Sequence, residues 1–433
     1  MPTINFPHEF KDIVRLCNER KLDKALMLLD NIPNNKKFEN LKLKLYASIY
    51  FIKKDWSKSL KYHQDLLIKN DVSFEIYNNL AVTLFNTGEI NESIKYFKLS
   101  ISINDKVESA YQNLAISYLN VGLYREAMDC LTKVLSINDK NMHSTSMLLD
   151  ILNYVVPKKN ENNYLLKINS KILDFYGEKN IKNFELKFLL DQIDDFLKKE
   201  KKMIIYNRTE IFRRNKENLN CSRHFKVFNQ YKIIPEYCFK CYKVQIITPN
   251  VSELIKLFFL FNSDFLINNN VRKCNVESRP NVSENYKGFI YCRSIEESQT
   301  ILKITNKKLV ELGIIFKSIQ IKHGCTEFYK LHPDYKKINF EGEQPLKYNM
   351  LWKKMENKVD STIPKGKNGD ERIIKPSINK INLSDILIIR NWLSYAEIIG
   401  DFSYKEIYRT KVNNSFLLKK LENQIVFRKQ QLK

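Results

Sequence analysis

Cysteine and histidine residues are concentrated in one stretch of this 433-residue chain, and their spacing is that of metal ligands. Cys221 and His224 are separated by two residues, and Cys238 and Cys241 repeat this spacing further along the chain. Two ligands separated by two residues can hold one ion from a single turn, and two such pairs complete the tetrahedral site of a structural zinc ion. We therefore predict a zinc site at Cys221, His224, Cys238 and Cys241.

Other interpretations of these residues remain open. Metal-binding turns commonly carry glycine beside the ligands, whereas Arg223, Phe239 and Lys240 are bulky. The cysteines could instead be ordinary reduced thiols, with His224 a hydrogen-bonded polar residue. A redox role for Cys238 and Cys241 is disfavoured, because the pair precedes a predicted strand instead of opening a helix. A different ligand set could be completed by residues further along the chain, namely Cys274, Cys292, His323 and Cys325.

After the cysteine-rich stretch, the predicted strands and helices follow a regular order. These elements must position its side chains. The hydrophobic pattern predicts a strand at 242–247, a helix at 252–263, strands at 272–279 and 286–294, a helix at 295–313 and a strand at 314–324. This β-α-β-β-α-β order is typical of the ferredoxin-like split unit. We therefore expect a basic, cysteine-rich domain of that fold.

The strand KGFIYC, which begins at Lys287, resembles the third-strand motif of RNA-recognition domains. The resemblance implies that Phe289 and Tyr291 share one sheet face, where their rings would stack on bases beside Lys287. The sequence departs from that family in the first strand, where Lys243 and Gln245 replace an exposed aromatic residue. The alternative is that both rings pack beneath neighbouring segments.

Charge is distributed unevenly along the chain. Residues 1–150 contain 20 Lys and Arg against 18 Asp and Glu, whereas residues 151–433 contain 52 against 31. Almost all of the net charge of +23 therefore lies in the second part. Such an asymmetry indicates an acidic partner for that part, such as nucleic acid, an anionic membrane surface or an acidic protein, unless the lysines only form a solvated surface.

The first part of the chain repeats itself every 34 residues. Tyr77, Leu80, Ala81, Gly88 and Ile103 recur as Tyr111, Leu114, Ala115, Gly122 and Ile137. Each unit has the pattern of a helical hairpin, in which Ala115 allows close packing and Gly122 ends the first helix in a left-handed conformation. Because one hairpin cannot bury its apolar faces alone, the units must stack.

This pattern resembles the tetratricopeptide repeat family, most clearly at residues 74–139 and more weakly at 41–71 and 8–38. The resemblance implies a superhelix of three to five hairpins whose groove binds a peptide or protein segment. In this family an asparagine before the first-helix leucine often bonds the ligand backbone, and Asn79 and Asn113 hold that position, unless they are only tolerated surface residues. The groove residues expected are Asn78, Asn79, Val82, Phe85, Gln112, Asn113, Ile116, Leu119 and Asn120.

The fold class predicted is an all-α repeat superhelix followed by an α/β domain and further helices. We expect the superhelix at 1–155, a degenerate repeat with capping helices at 156–200, the cysteine-rich ferredoxin-like domain at 201–335 and a mainly helical region at 336–433. In the last region we expect a helix at 344–359 and another that begins with Ser384 as its N-cap and stops at Gly400.

The sequence favours an interaction protein over an enzyme. It contains none of the motifs GxxxxGK[ST], GxSxG and HExxH, and no GxGxxG after a strand. We see no signal peptide and no apolar run near the ~20 residues of a transmembrane helix, so we expect a cytoplasmic protein. We expect a scaffold that holds a protein segment in its groove and contacts a second partner through its basic domain, with zinc as the one expected cofactor. The alternatives are a nucleic-acid-binding protein and an unrecognised metalloenzyme.

Overall fold

The computed structural model describes residues 8–33, 35–158, 162–176, 183–199, 204–362, 375–408 and 414–432. These residues divide into two compact units, one up to Asn141 and one from Met142 onward. The first unit is entirely helical, and the second contains a five-stranded sheet with helices. Within the described ranges, no helix is long and apolar enough to cross a membrane.

The first unit consists of four successive helical hairpins. Its helices are α1 (His8–Asn18), α2 (Leu22–Asn31), α3 (Glu39–Lys53), α4 (Trp56–Ile68), α5 (Phe74–Thr87), α6 (Ile90–Ile103), α7 (Glu108–Asn120) and α8 (Tyr124–Ile137). Each helix packs against the next one along the chain. Small and apolar residues at equivalent positions fill the interior, for example Ala81 on α5 and Ala115 on α7, both fully buried.

A residue with left-handed backbone follows the first helix of every hairpin. Arg20, Lys54, Gly88 and Gly122 have φ angles of 60°, 60°, 97° and 75°, and they recur with the 34-residue period of the sequence. The positive φ reverses the chain so that the second helix can pack on the first. Glycine adopts this conformation without strain, whereas arginine and lysine do not. The period therefore includes the hairpin α1–α2, whose sequence match is weakest.

Paired hydroxyl groups join successive hairpins in the same way. Ser59 on α4 lies 3.2 Å from Thr83 on α5, and Ser93 on α6 lies 3.4 Å from Ser117 on α7, measured between side-chain oxygens. All four side chains are fully buried. Because these small groups satisfy each other's hydrogen bonds, the helices can approach closely without leaving a polar atom unpaired.

The second unit begins with three helices and continues with mixed α and β structure. Its elements are α9 (Met142–Ile151), α10 (Tyr164–Tyr176), α11 (Asn183–Lys199), β1 (Glu210–Arg213), α12 (Cys221–Tyr231), β2 (Tyr242–Thr248), α13 (Val251–Phe261), β3 (Arg272–Val276), β4 (Tyr286–Cys292), α14 (Ile295–Glu311), β5 (Ser318–His323), α15 (Trp352–Ser361), α16 (Leu383–Ile399), α17 (Ser415–Leu421) and α18 (Ile425–Gln430). The sequence predicts α9 and α10 as a continuation of the superhelix. In the structure both contact α16, within the second unit.

The five strands form one antiparallel sheet in the order β1-β3-β4-β2-β5. From β2 to β5 the chain follows the β-α-β-β-α-β order that the sequence predicts, and β1 adds a fifth strand at the β3 edge. Helix α13 covers one face of the sheet, since a Cβ at Gly288 on β4 would collide with Leu257 and Phe261 of that helix. The opposite face carries most of the polar strand residues.

Helix α16 forms the centre of the second unit, and most of its side chains are buried. Asp385 in its first turn forms an ion pair with Arg213 of β1 at 2.7 Å, and each side chain is only 1% exposed. Arg213 also donates to Asn262 at 2.7 Å. Because buried charges require close partners, this pair fixes α16 against the sheet.

Two predicted helix boundaries differ from the structure. The N-cap of α16 is Asn382 instead of Ser384, because the Asn382 side chain accepts from the Asp385 backbone and Asp385 bonds back in a capping box. The helix predicted at 344–359 begins only at Trp352, after a turn in which Asn349 accepts from the backbone of Leu351. The stop at Gly400 is as predicted, with φ of 82°.

Candidate functional site

The nine predicted groove residues lie on α5 and α7, and all nine are half-buried. They therefore belong neither to the closed core nor to the freely exposed surface. Helices α5 and α7 contact each other directly, so the two sets adjoin on one face of the first unit. We call these nine residues the repeat groove.

Asn78 in the repeat groove has unused hydrogen-bonding capacity. Its Nδ2 reaches Oδ1 of Asn79 only at 3.5 Å, and its own Oδ1 is buried with no hydrogen-bond partner among the described residues. A buried amide oxygen without a partner is unfavourable by roughly 1–3 kcal/mol.

Asn120 is already engaged by the helix that carries it. Its Nδ2 donates to the carbonyl of Ile116 at 2.9 Å, and Asn86, at the equivalent position one repeat earlier, donates to Val82 at 2.8 Å. Such bonds to the preceding helical turn are common for asparagine. One of the two amide donors of Asn120 is therefore used within α7, and the prediction that Asn120 lies in the groove is unaffected by this bond.

A second candidate site lies on the open face of the sheet, where the structure has a cavity of about 730 Å³. Because strand residues alternate between faces, every second residue of a strand can reach this cavity. Residues opposite each other in the register share it, such as Gln245 and Phe289, or Phe289 and Lys273. Its strand lining is Phe212, Lys243, Gln245, Lys273, Lys287, Phe289, Tyr291, Gln320, Ile321 and Lys322. We call it the sheet-face cavity.

Positive charge dominates the sheet-face cavity. It is lined by one carboxylate, Glu327, and by seven cations, namely Arg214, Lys243, Lys273, Arg279, Lys287, Lys322 and Lys336. Glu210 pairs with Lys273, and Glu277 pairs with both Lys287 and Arg279. Four of the cations have no carboxylate at ion-pair distance within the described part of the chain, namely Arg214, Lys243, Lys322 and Lys336.

The cations in the cavity disfavour one another's protonated forms. Burial lowers the pKa of Lys322, and the charge of Lys336 lowers it further. Burial lowers the pKa of Lys243 to about 8, although Glu327 and the Cys325 thiol act in the opposite direction. A bound anion would offset this repulsion, so the cavity has the electrostatics of an anion site.

The structure brings the three predicted nucleic-acid-binding residues to this cavity, but it does not leave all of them accessible. The Phe289 ring is 6% exposed, and the Nζ atoms of Lys243 and Lys273 lie 5.1 and 5.4 Å from its centre. Lys287 is buried in an ion pair. Tyr291 is half-buried, and its hydroxyl lies near Cys221, Cys241 and Cys325 in buried surroundings that raise its pKa.

The predicted zinc ligands occupy a helix start and a tight turn. Cys221 and His224 lie in the first turn of α12, and Cys238 lies in a 3-10 turn that ends before Cys241 and β2. The His224 ring stacks on Tyr237, with ring centres 5.2 Å apart. Among the residues that the structure describes, no three His, Cys, Asp or Glu side chains stand close enough to hold a metal ion as they are.

The other cysteines named by the sequence separate into two groups. Cys274 on β3 is opposite Gly288, and Cys292 lies four residues after Gly288 on β4, so both belong to the sheet face that α13 covers. Cys325 follows β5 and lines the sheet-face cavity together with Cys221. Cys325 is therefore the cysteine from this later group that lies beside the predicted ligands.

The comparisons with known proteins identify the repeats. Residues 74–106 and 108–141 match the family model of the tetratricopeptide repeat, which confirms the repeat predicted for α5 to α8. No curated protein matches the chain at a significant level.

Solved structures similar to the chain include other proteins of this repeat type. MamA shares 17% identity over 34% of this chain and 84% of its own, with a TM-score of 0.31. YrrB, described as a TPR protein with an unusual peptide-binding site, shares 13% over 43% and 90%, with a TM-score of 0.32. PilF of Pseudomonas aeruginosa shares 11% over 52% and 90%, with a TM-score of 0.31.

Proposed function

We propose that this protein is an interaction scaffold whose first unit binds an extended protein segment in the repeat groove. The observation that carries the proposal is the row of half-buried amide side chains at equivalent positions of two matched repeats, Asn79 on α5 and Asn113 on α7. An amide side chain can donate to and accept from a peptide backbone at the same time. A pair of amides one repeat apart therefore suits an extended segment that crosses both hairpins.

The chemistry of the repeat groove indicates how the segment would be recognised. None of the nine groove residues is charged, which disfavours capture of a terminal carboxylate or a phosphate. The apolar members, Val82, Phe85, Ile116 and Leu119, are half-buried and can contact apolar side chains of the segment. The proposed partner is therefore a neutral, partly apolar stretch of chain bound mainly through its backbone.

A displayed peptide library tests this proposal without knowledge of the partner. Peptides enriched on the wild-type protein are labelled, and their Kd is measured by fluorescence anisotropy. Asn79→Ala with Asn113→Ala should weaken binding about tenfold or more, since two hydrogen bonds of roughly 1 kcal/mol each are lost. The thermal unfolding midpoint of the first unit should stay unchanged.

The matched control is Gln64→Ala with Asn91→Ala, which removes two exposed amides from the second helices α4 and α6. This control should bind the peptides like the wild type. An unchanged Kd in the groove variant, or an equal loss in the control, would refute the proposed groove.

The four cations without carboxylate partners favour a second candidate function, which is binding of a single-stranded nucleic acid at the sheet-face cavity. A volume of about 730 Å³ suits one or two nucleotides but not a duplex. Arg214, Lys322 and Lys336 would contact phosphates, and Tyr291 would contact a base. A labelled oligouridine provides the probe. An affinity unchanged by Arg214→Gln with Lys322→Gln would remove this candidate.

A further inference from the structure

Four cysteines lie near one another beside the sheet-face cavity, although among the described residues they do not stand at metal-ligand distances. Neither the repeat groove nor anion binding requires them. Cys221 opens α12, Cys238 and Cys241 flank the end of the 3-10 turn 236–240, and Cys325 follows β5. They come from three segments that are far apart in the sequence. The contacts of each cysteine show how closely the segments approach.

Each of the four cysteines lies close to another cysteine of the set or to the residue next to one. Cys221 and Cys325 line the same cavity, and Cys325 packs against the hydrophobic cluster that contains Cys238. A Cβ on Gly324 would collide with Sγ of Cys241, so only glycine fits beside that thiol. Neither the CxxH pair nor the CxxC pair has a glycine beside its ligands in the sequence. Gly324, the residue before Cys325, takes that place in the structure.

Backbone hydrogen bonds hold the segments in this arrangement. The N–H of Cys241 donates to the carbonyl of Cys238 at 3.2 Å, which closes the turn. The N–H of Gly324 donates to the carbonyl of Cys241 at 2.8 Å, which continues the β2–β5 ladder past its last paired residues. The hydroxyl of Tyr335 donates to the carbonyl of Cys238 at 2.7 Å. The positions of Cys238, Cys241 and Cys325 therefore follow from the sheet register.

Electrostatic interactions connect all six pairs among the four thiols. The strongest of these interactions joins Cys238 and Cys325. His224 stacks on Tyr237 and interacts with the carboxylate of Asp360.

The surroundings of the thiols are the part of the second unit with the least regular structure. Three 3-10 turns, at 236–240, 326–330 and 333–336, and the helices α12 and α15 surround a cluster of five buried side chains, namely Phe228, Ile234, Cys238, Phe328 and Tyr335. Six partly buried residues, Cys325 among them, pack against this cluster. Small irregular regions commonly depend on a metal or disulfide cross-link.

We propose that Cys221, Cys238, Cys241 and Cys325 bind one Zn²⁺ ion as four thiolates in a closed structural site. The thiols lose their protons to solvent, and each sulfur donates an electron pair to the metal. Zn–S bonds of ~2.3 Å draw the four neighbours together around the ion. The site joins the start of α12, the turn before β2 and the end of β5, and Cys325 takes the place that the sequence gives to His224.

The charges next to the four cysteines are compatible with a zinc ion bound by four thiolates. Four thiolates around Zn²⁺ leave two net negative charges. Lys243 lies beside the thiols and donates to the carbonyl of Gly324 at 2.8 Å, and Arg214 lines the same cavity. Neither cation has a carboxylate at ion-pair distance in the part of the chain that the structure describes. The metal site therefore has counter-charges next to it.

Elemental analysis of protein purified without chelator from zinc-supplemented medium tests the proposal. Wild type should contain about one zinc per chain. His224→Gln should keep the zinc and Cys325→Ser should lose it. Cys274→Ser is the control, because that thiol lies on the other sheet face. Wild type without zinc, Cys325→Ser with zinc, or loss of zinc in His224→Gln would each overturn the four-thiolate site.

A measurement on the wild-type protein covers the case in which a variant does not fold. Cobalt replaces zinc, and the intensity of the thiolate-to-cobalt absorption bands counts the sulfur ligands. Titration with an organomercurial should release the metal as four thiols react. Bands of a site with three or fewer sulfurs, or a Cys238–Cys325 disulfide in place of metal, would overturn the proposal.

Discussion

Glu277 shows how a single carboxylate determines which cations of the sheet-face cavity remain free. Its side chain is 2% exposed and accepts from Lys287 at 2.9 Å and from Arg279 at 2.8 Å. Burial alone would raise the pKa of Glu277, but hydrogen bonds and charges from these two cations lower it to about 2. Arg279 also pairs with Glu327, so two carboxylates balance these two cations, and the unpaired charge of the cavity lies at Arg214, Lys322 and other residues away from Glu277.

The depressed pKa of Glu277 predicts acid sensitivity of the second unit. An unfolded-state glutamate has a pKa of about 4.3, so this group stabilises the fold above that pH and the stabilisation is lost as the pH falls towards 2. The contribution at neutral pH is roughly 3 kcal/mol. Glu277→Gln should destabilise the protein at pH 7 and flatten the dependence of unfolding free energy on pH between about 4.5 and 2.

Urea unfolding at a series of pH values measures both effects of Glu277→Gln. Glu311→Gln on α14 is the control, since its carboxylate forms only surface pairs with Lys307 and Lys308. Equal pH slopes in wild type and Glu277→Gln would show that the ion pairs of Glu277 do not stabilise the folded state.

The helical hairpins depend on one backbone conformation that recurs at each turn. Lys54 and Gly88 occupy equivalent positions with φ of 60° and 97°. A left-handed conformation costs roughly 1–2 kcal/mol for a residue with a side chain. The second hairpin therefore carries a strain that the third and fourth avoid through glycine.

Exchange of these residues should change stability in opposite directions. Gly88→Ala should lower the free energy of unfolding by about 1 kcal/mol. Lys54→Gly should raise it by roughly 0.5 kcal/mol, because the relief of strain exceeds the entropy that glycine adds to the unfolded chain. Lys61→Gly inside α4 is the control and should destabilise by about 1 kcal/mol. Chemical denaturation that finds Lys54→Gly as harmful as Lys61→Gly would contradict this explanation.

Elements with a long regular pattern could be predicted from the sequence, and short ones could not. The 34-residue repeat predicts helices α3 to α8, and the hydrophobic pattern of the sequence predicts strands β2 to β5. Strand β1 has only four residues and is recognisable only by its pairing with β3. Helix α12 is not predicted from the sequence, because its first turn contains the CxxH spacing, which is typical of a metal-binding turn. Its residues Val227 and Phe228 nevertheless form a buried helix face.

The sites were predictable only where one element carries them. The repeat groove is a prediction from the period of α5 and α7, and the structure places its nine residues half-buried on these two helices. The sheet-face cavity depends on the register of five strands, and Lys336 reaches it from outside the sheet. Cys325 meets Cys241 because β5 pairs with β2. Such meetings of distant segments leave no local pattern in the sequence.

At the scale of the whole molecule, the charge asymmetry complicates any test of nucleic-acid binding. The net charge is +23, and residues 151–433 carry almost all of it. A chain of this charge attracts any polyanion at low salt, whether or not the sheet-face cavity takes part. Affinity at a single salt concentration therefore cannot separate the cavity from the general surface. The dependence on salt can separate them, because each phosphate contact releases condensed counterions.

The salt dependence of oligouridine binding should distinguish the cavity from the surface. The slope of log K against log salt should fall by roughly one unit or more in Arg214→Gln with Lys322→Gln, since each lost contact to a single strand removes ~0.7. Lys303→Gln with Lys307→Gln is the matched control, because these two exposed lysines lie on α14 and outside the cavity. It should keep the wild-type slope. Equal slopes for all three proteins would assign the binding to overall charge, and the cavity cations would then serve another anion.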